Sequence, residues 1–117
     1  MYPSHKKYQN ERRRYSRYNI IGELKIIVQE NISFREQIKD VSLKGIRISH
    51  NGKYQFNLYE KFPFEITFTR GDQPQNISGV AEVIRMIPFE EVGLLISSID
   101  ETNQEKLTQL IESKNRN

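Results

Sequence analysis

The sequence predicts an all-β fold, an antiparallel barrel or sandwich of six strands followed by a C-terminal α-helix. Three observations lead to this prediction. Six segments alternate apolar and polar side chains, the pattern of strands with one buried face. Turn-forming stretches such as Asn51-Gly52 and Arg70-Gly71-Asp72 separate segments, and no helical periodicity lies between them. Short strands without crossover helices are typical of antiparallel barrels or sandwiches.

The strands follow one another with similar alternation. The first puts Ile20, Leu24, Ile26 and Val28 on one face, and the second is more polar than the others. The expected strands span residues 19–30, 34–41, 46–49, 64–69, 77–87 and 92–99. Residues 53–63 are less regular, and we expect their apolar side chains to cover one end of the core. These side chains are Tyr54, Phe56, Leu58, Tyr59 and Phe62.

The last element changes to helical spacing. Leu107, Leu110 and Ile111 recur at intervals of three and four residues, the stripe of a short amphipathic helix. Thr102 and Glu105 have the spacing of a capping box, in which each side chain bonds to the backbone of the other residue. We therefore expect a helix over residues 102–114.

Length and composition indicate one domain. A chain of 117 residues can bury a single core, and 36% hydrophobic with 28% charged residues suits a globular protein. Residues 1–11 are polar and lack periodicity, so we expect a flexible tail there. The predicted domain spans residues 12–117, with a basic loop over 12–18 and the barrel over 19–99.

Positive charge is concentrated near the start of the chain. Residues 1–18 hold six basic residues against Glu11 alone, and the other residues hold 12 basic and 14 acidic ones, so that the whole chain carries +3. A nucleic-acid-binding domain usually spreads positive charge over its folded face. Charge on one short arm instead favours local capture of a small anion, and it disfavours nucleic acid as the partner.

Several classes of protein find no support in these residues. The chain has no cysteine, which excludes disulfides and thiolate chemistry, and no apolar stretch long enough to span a membrane. No apolar run follows the first basic residues, so we expect no signal peptide and a cytoplasmic location.

Catalysis is equally unsupported. His5 and His50 are not spaced as a metal pair, and no nucleophile elbow, phosphate-binding loop or dinucleotide fingerprint is present. The acidic pair Glu90-Glu91 falls in a predicted turn, where we expect it to face water. We expect no catalytic residue, no metal and no cofactor.

Two short stretches carry the chemistry of a binding site. The first is Arg12-Arg13-Arg14-Tyr15-Ser16-Arg17, whose guanidiniums are permanently charged and bind phosphate oxygens, or O6 and N7 of guanine, in bidentate fashion. The second is Asp40-Val41-Ser42-Leu43-Lys44-Gly45. An ionised Asp40 can accept hydrogen bonds from N1 and N2 of guanine, Ser42 can donate or accept, and Gly45 lets a ligand lie close.

Each residue of the second stretch also has a purely structural interpretation, because Asp40 and Ser42 can cap a turn that Gly45 forms. The basic stretch can likewise be a solvated arm. The hypothesis is that both stretches close on one small anionic ligand.

Together the two stretches resemble the PilZ family of receptors for the bacterial second messenger cyclic di-GMP. The family pattern is Arg-x-x-x-Arg in an N-terminal switch loop, then Asp/Asn-x-Ser-x-x-Gly at the end of a barrel strand. Arg13 and Arg17 fit the first motif, and Asp40, Ser42 and Gly45 fit the second. The resemblance also covers the strand count, Gly93 in the last strand and the final helix, over about residues 11–113.

The resemblance implies a six-stranded antiparallel split β-barrel that binds cyclic di-GMP. Arg13 and Arg17 would clamp guanine and phosphate groups, Arg12 would add a third contact, and Asp40, Ser42 and Gly45 would line the barrel side of the site. A stand-alone receptor of this kind would signal to an unidentified effector protein that controls motility, biofilm formation or secretion. It would act as a monomer or as a ligand-linked dimer.

Two other interpretations stay open. A small basic barrel could bind single-stranded RNA or DNA, although such proteins usually expose aromatic side chains on a strand face. Here Phe34, Phe64 and Phe68 fall on the apolar faces. The chain could also be a protein-interaction module with a degenerate ligand site.

Overall fold

A computed structural model of the chain describes residues 17–20, 22–29, 32–50, 52, 54–70 and 72–115. Within these residues the chain forms six strands and a helix. The strands are β1 (Glu23–Gln29), β2 (Ile32–Val41), β3 (Gly45–Ser49), β4 (Lys61–Arg70), β5 (Gln73–Ile87) and β6 (Glu91–Ser98), and the helix is α1 (Glu101–Asn115).

The strands form a closed antiparallel barrel in the order β1-β2-β3-β6-β5-β4, and β4 pairs with β1 to complete the ring. The ring is irregular, because the ladders β1–β2, β2–β3 and β5–β6 each contain a register shift. Such bulges increase the local twist and re-aim neighbouring side chains. The predicted all-β fold with six antiparallel strands and a C-terminal helix is confirmed.

The core consists of the inward faces that the alternation predicted. Leu24, Ile26, Ile46, Ile48 and Ile66 are among its fully buried side chains. α1 adds its apolar stripe to the same cluster through Leu107, Leu110 and Ile111. Burying one large aliphatic side chain stabilises a fold by about 1.5–3 kcal/mol, so this cluster is the main source of stability.

Two predictions about apolar side chains are wrong at the barrel ends. Val28 is 39% exposed, because it lies beyond the four residues of β1 that pair with β4. Leu58 and Tyr59 are also exposed, whereas Phe56 and Phe62 cover the core as expected. Tyr59 has a φ of 69°, and its amide donates to the carbonyl of Val83, which leaves its side chain on the outside.

The helix begins one residue earlier than expected, and its N-cap is Asp100. The Oδ1 atom of Asp100 accepts from the amide of Asn103 at 2.8 Å, and the Asn103 side chain donates to the same carboxylate at 3.0 Å. These hydrogen bonds lower the pKa of Asp100. The predicted capping box of Thr102 and Glu105 is wrong, because the acidic residue before the helix already accepts from its first turn. Within the described residues no helix has the length and apolar character needed to cross a membrane.

Asn103 also ties the helix to the barrel, since its Oδ1 accepts from the amide of Ser78 in β5 at 2.9 Å. Replacing Asn103 by alanine should lower the free energy of unfolding by about 0.5–1.5 kcal/mol, the usual net contribution of a hydrogen bond. Glu105→Ala, the matched control, should change it by less than about 0.5 kcal/mol. Urea unfolding of both variants measures the difference, and a larger loss of stability in Glu105→Ala than in Asn103→Ala would support the capping box.

Candidate functional site

A tight turn joins β2 to β3 and includes two residues of the second motif. The Oγ atom of Ser42 accepts from the amides of Lys44 at 3.2 Å and Gly45 at 3.1 Å. The Ser42 amide donates to the carbonyl of Gly45 at 2.8 Å. Ser42 is 1% exposed, so its hydroxyl has the structural role that the sequence left open and shapes the wall of the site.

Gly45 is required by close packing between strands. A Cβ atom built at this position would lie 2.7 Å from the carbonyl oxygen of Leu94 in β6 and 3.4 Å from Nη2 of Arg17. The first distance is too short for any side chain, and the contact is with backbone, which cannot easily move. Gly45 therefore lets β3 approach β6 and leaves room for the Arg17 guanidinium.

The chain before β1 attaches to the barrel beside this turn. Tyr18 and Val41 exchange two backbone hydrogen bonds, of 2.8 and 3.0 Å. This pairing places Arg17 next to the end of β2, where its Nη1 donates to Oδ1 of Asp40 at 2.9 Å. The last arginine of the first motif is thus in direct contact with the second motif.

Four of the six predicted ligand-binding residues lie in one place, namely Arg17, Asp40, Ser42 and Gly45. The other two, Arg12 and Arg13, lie outside the described residues, as does the rest of the predicted loop before Arg17. The contact bridges 23 positions of sequence, and the order of the two motifs alone could not establish it.

Asp40 is a buried carboxylate held by two arginines. It is 4% exposed, and besides Arg17 it accepts from Nε of Arg47 at 2.8 Å and from Nη2 of the same guanidinium. Burial raises the pKa of Asp40, but the hydrogen bonds and charges of Arg47 and Arg17 outweigh burial and lower it overall. Asp40 is therefore an anionic acceptor at neutral pH.

Sequence reasoning missed Arg47 as a site residue. It faces outward two positions after Gly45, and Asp40 is its partner in the β2–β3 register. The hydrogen bond to Asp40 raises the pKa of Arg47 further. The outward side of β3 was visible in the alternation, but the partner across the ladder was not, because a register shift lies next to it.

The prediction that Glu91 faces water is wrong. Glu91 begins β6 opposite Ser49 and is 7% exposed. Its carboxylate accepts from Nη1 of Arg47 at 3.4 Å and from Nζ of Lys39 at 3.3 Å, and Nη1 of Arg85 lies 3.9 Å away. Burial raises the pKa of Glu91, but the Lys39 hydrogen bond and the three positive charges outweigh it and lower the pKa.

The surface formed by Arg17 and Asp40 can bind an anion or a polar planar ring. The Arg17 side chain is 40% exposed and lies beside an acceptor, so donors and an acceptor are presented next to each other. Guanine carries the complementary pattern, with acceptors O6 and N7 and donors N1 and N2. Among the residues that the structure describes, no group of three or more histidine, cysteine, aspartate or glutamate side chains could hold a metal ion.

The fold is similar to that of a solved protein, the Bacillus subtilis inhibitor of motility (MotI/DgrA). The two structures superpose with a TM-score of 0.74 at 20% sequence identity, over 86% of this chain and 50% of that protein. This chain therefore spans half the length of that relative. No curated protein sequence matches it significantly.

The PilZ domain model matches residues 11–113, which include both motifs, all six strands and most of α1. The chain belongs to the PilZ domain family.

Proposed function

We propose that this protein is a receptor for cyclic di-GMP and that it passes the signal to a partner protein. The proposed ligand-binding residues are Arg12, Arg13, Arg17, Asp40, Ser42 and Gly45, of which Ser42 and Gly45 form the wall of the site. One observation carries the proposal. The Arg17 guanidinium lies 2.9 Å from the Asp40 carboxylate and 3.4 Å from the Cβ position of Gly45, so residues of both family motifs share one surface.

The hydrogen-bonding capacity of Asp40 supports a guanine at this position. A carboxylate offers about four lone-pair sites. Arg47 uses the Oδ2 side with two donors, while Arg17 uses Oδ1 with one. Oδ1 can therefore accept a guanine N–H while Arg47 keeps the carboxylate in place, and Arg17 can turn its exposed donors towards O6, N7 or a phosphate.

The chemistry favours a cyclic dinucleotide over a linear guanine nucleotide. Two guanines and two phosphates together offer more partners to the arginines and Asp40 than one base with a flexible phosphate chain. In a competition titration, cyclic di-GMP should bind and an equal concentration of GTP should not displace it. Calorimetry with both nucleotides measures this, and equal or tighter binding of GTP would contradict the proposal.

A short single-stranded oligonucleotide completes the same experiment. Phe64 and Phe68 are buried, and Phe34 packs against Tyr54 with 5.1 Å between ring centroids, so these rings are engaged in packing. Tyr59 and Phe89 are exposed, but both lie in turns rather than along a strand. We expect no saturable binding of the oligonucleotide, whereas binding of the oligonucleotide alone would favour the basic-barrel alternative. A protein that binds neither cyclic di-GMP, GTP nor the oligonucleotide would support the alternative of a protein-interaction module.

We further propose that the receptor is cytoplasmic and acts as an adaptor rather than as an enzyme. MotI/DgrA is named an inhibitor of motility, which makes motility control the first process to test. A strain that carries Arg17→Ala should then swim like a strain without the gene when cyclic di-GMP is raised. Swimming that is identical in the parent and in both of these strains would remove motility from the proposal.

A further inference from the structure

Three cations from three strands converge on the Glu91 carboxylate. They are Lys39 of β2, Arg47 of β3 and Arg85 of β5, with nitrogen-to-oxygen distances of 3.3, 3.4 and 3.9 Å. We call these three residues with Glu91 the Glu91 cluster. None of its members belongs to the two family motifs.

The sheet positions this cluster through its register. Arg47 pairs with Gly93 of β6, and Gly93 pairs with Arg85 of β5, so the two arginines flank a residue without a side chain. Register shifts occur next to Lys39 in β2 and next to Arg85 in β5. Bulges often re-aim side chains beside functional sites, and here a cation at or next to each shift lies close to the same carboxylate.

The number of cations exceeds what the buried carboxylate requires. A buried carboxylate needs a close partner, and the half-buried Arg47 supplies one. Lys39 donates a further hydrogen bond to Glu91 at 3.3 Å, whereas Arg85 is 59% exposed and 3.9 Å away, a contact that contributes only about 0–1 kcal/mol. The third cation therefore adds little stability to the barrel.

The connected network retains positive charge. Arg47 also holds Asp40, and Asp40 holds Arg17, so four cations surround two carboxylates with a net charge of +2. Like charges that share one carboxylate repel each other, and an incoming anion would relieve that repulsion. Ammonium and guanidinium groups that converge from three strands match the oxygens of a phosphate group.

We propose that Lys39, Arg47 and Arg85 form a second anion subsite, which adjoins the Asp40 site and binds a phosphate-type oxyanion. Glu91 is the internal carboxylate that keeps the three cations together. The oxyanion can be a phosphate of the dinucleotide bound at Asp40 or a phosphate of a separate small ligand. The chemistry at the cluster is the same in both cases.

Inorganic pyrophosphate is the probe that tests the subsite directly. NMR of the side-chain nitrogens should show saturable shifts at Arg85, Arg47 and Lys39 on titration. Arg35 is the internal control, because it is an exposed arginine paired with Glu23 at 3.5 Å on another part of the sheet. If the Arg35 signals shift as much as those of Lys39, Arg47 and Arg85 and none of the shifts saturates, the effect is general ionic screening and the proposal is overturned.

A pair of double variants separates the subsite from overall charge. Lys39→Ala with Arg85→Ala removes two cations but keeps Arg47 on Glu91, so the barrel should fold. Lys25→Ala with Arg35→Ala removes two cations from ordinary surface pairs with Glu65 and Glu23. The first variant should bind pyrophosphate at least about fivefold more weakly than the parent and the second should bind like the parent. Equal binding by both would overturn the proposal, and circular dichroism checks that both are folded.

Cyclic di-GMP then identifies the source of the oxyanion. If the subsite binds a phosphate of the same dinucleotide, pyrophosphate should compete with it and the Lys39–Arg85 variant should bind it about fivefold more weakly. If the subsite binds a separate ligand, both probes should bind together and the dinucleotide affinity should stay unchanged. A parent that binds pyrophosphate but no cyclic di-GMP would contradict the proposed function and leave the subsite standing.

Discussion

Replacing Asp40 by alanine should weaken cyclic di-GMP binding by more than about tenfold and destabilise the barrel as well. Asp40 is buried and accepts from Arg17 and Arg47, so its removal takes away the carboxylate between two guanidiniums, of which Arg47 keeps its contact with Glu91. Breaking a fully buried pair costs about 3–5 kcal/mol, but these arginines are 40% and 34% exposed. We therefore expect a loss of about 1–3 kcal/mol in the free energy of unfolding.

Urea unfolding and calorimetry measure the two effects of Asp40→Ala. Glu23→Ala is the matched control, because Glu23 is a half-exposed carboxylate paired with Arg35. It should change stability by less than about 0.5 kcal/mol and leave binding unchanged. An Asp40→Ala variant with the stability and the affinity of the parent would show that Arg17 and Arg47 are not held in place by this carboxylate.

The same carboxylate predicts a pH dependence. The pKa of Asp40 is lower in the folded protein than in the unfolded chain, where aspartate has a pKa of about 3.9. Its stabilisation is therefore fully present above that pH and is lost as the pH falls through the lower folded pKa. The free energy of unfolding of the parent should fall below about pH 4, and that of Asp40→Asn should fall less steeply. An identical pH dependence of the free energy of unfolding in the two proteins would contradict the stabilising role of the Asp40 ion pairs. The pKa of Glu91 is also lowered, and Glu91 contributes in the same direction to both proteins.

Replacing Gly45 by alanine should cost about 1–3 kcal/mol of stability, the usual penalty of overpacking. The added Cβ would lie 2.7 Å from the Leu94 carbonyl, so β3 must move away from β6. The shift should also displace Arg17, whose Nη2 would be 3.4 Å from the new atom. Affinity for cyclic di-GMP should therefore fall together with stability.

Gly93→Ala is the control for this substitution. Gly93 lies in the same sheet, but a Cβ there would lie 3.3 Å from Cβ of Arg85, a looser contact than the 2.7 Å to the Leu94 carbonyl oxygen at Gly45. The strands beside Gly93 need to separate less, so Gly93→Ala should be less destabilising than Gly45→Ala. Urea unfolding compares the two, and a reversed order would show that Leu94 is free to move.

The fold was largely predictable from the sequence, because strand alternation in residues such as Phe64, Ile66 and Phe68 is a local signal. Closure was not, since the alternation is equally consistent with a sandwich, and the pairing of β1 with β4 joins distant segments. The helix start was shifted because Asp100 and Thr102 are both good caps, and only the contact with Asn103 distinguishes them.

The candidate site was predictable in part. Arg17, Asp40, Ser42 and Gly45 were found because two motifs occur in one order, and the structure brings these four residues together. Arg47 and Glu91 belong to no motif, and their roles follow from cross-strand register and from a strand that begins inside the predicted turn. Single-sequence alternation gives the face of a side chain but not its partner on the neighbouring strand.

A calorimetric titration of cyclic di-GMP into the parent, Arg17→Ala and Arg35→Ala tests whether the surface of Arg17 and Asp40 binds the dinucleotide. Both variants lose one partly exposed arginine, but only Arg17 contacts Asp40. We expect saturable binding by the parent and by Arg35→Ala, and binding that is weaker by about five- to 150-fold for Arg17→Ala, the effect of losing a bidentate guanine contact. A parent that does not bind, or an Arg17→Ala variant that binds like the parent, would contradict binding at that surface.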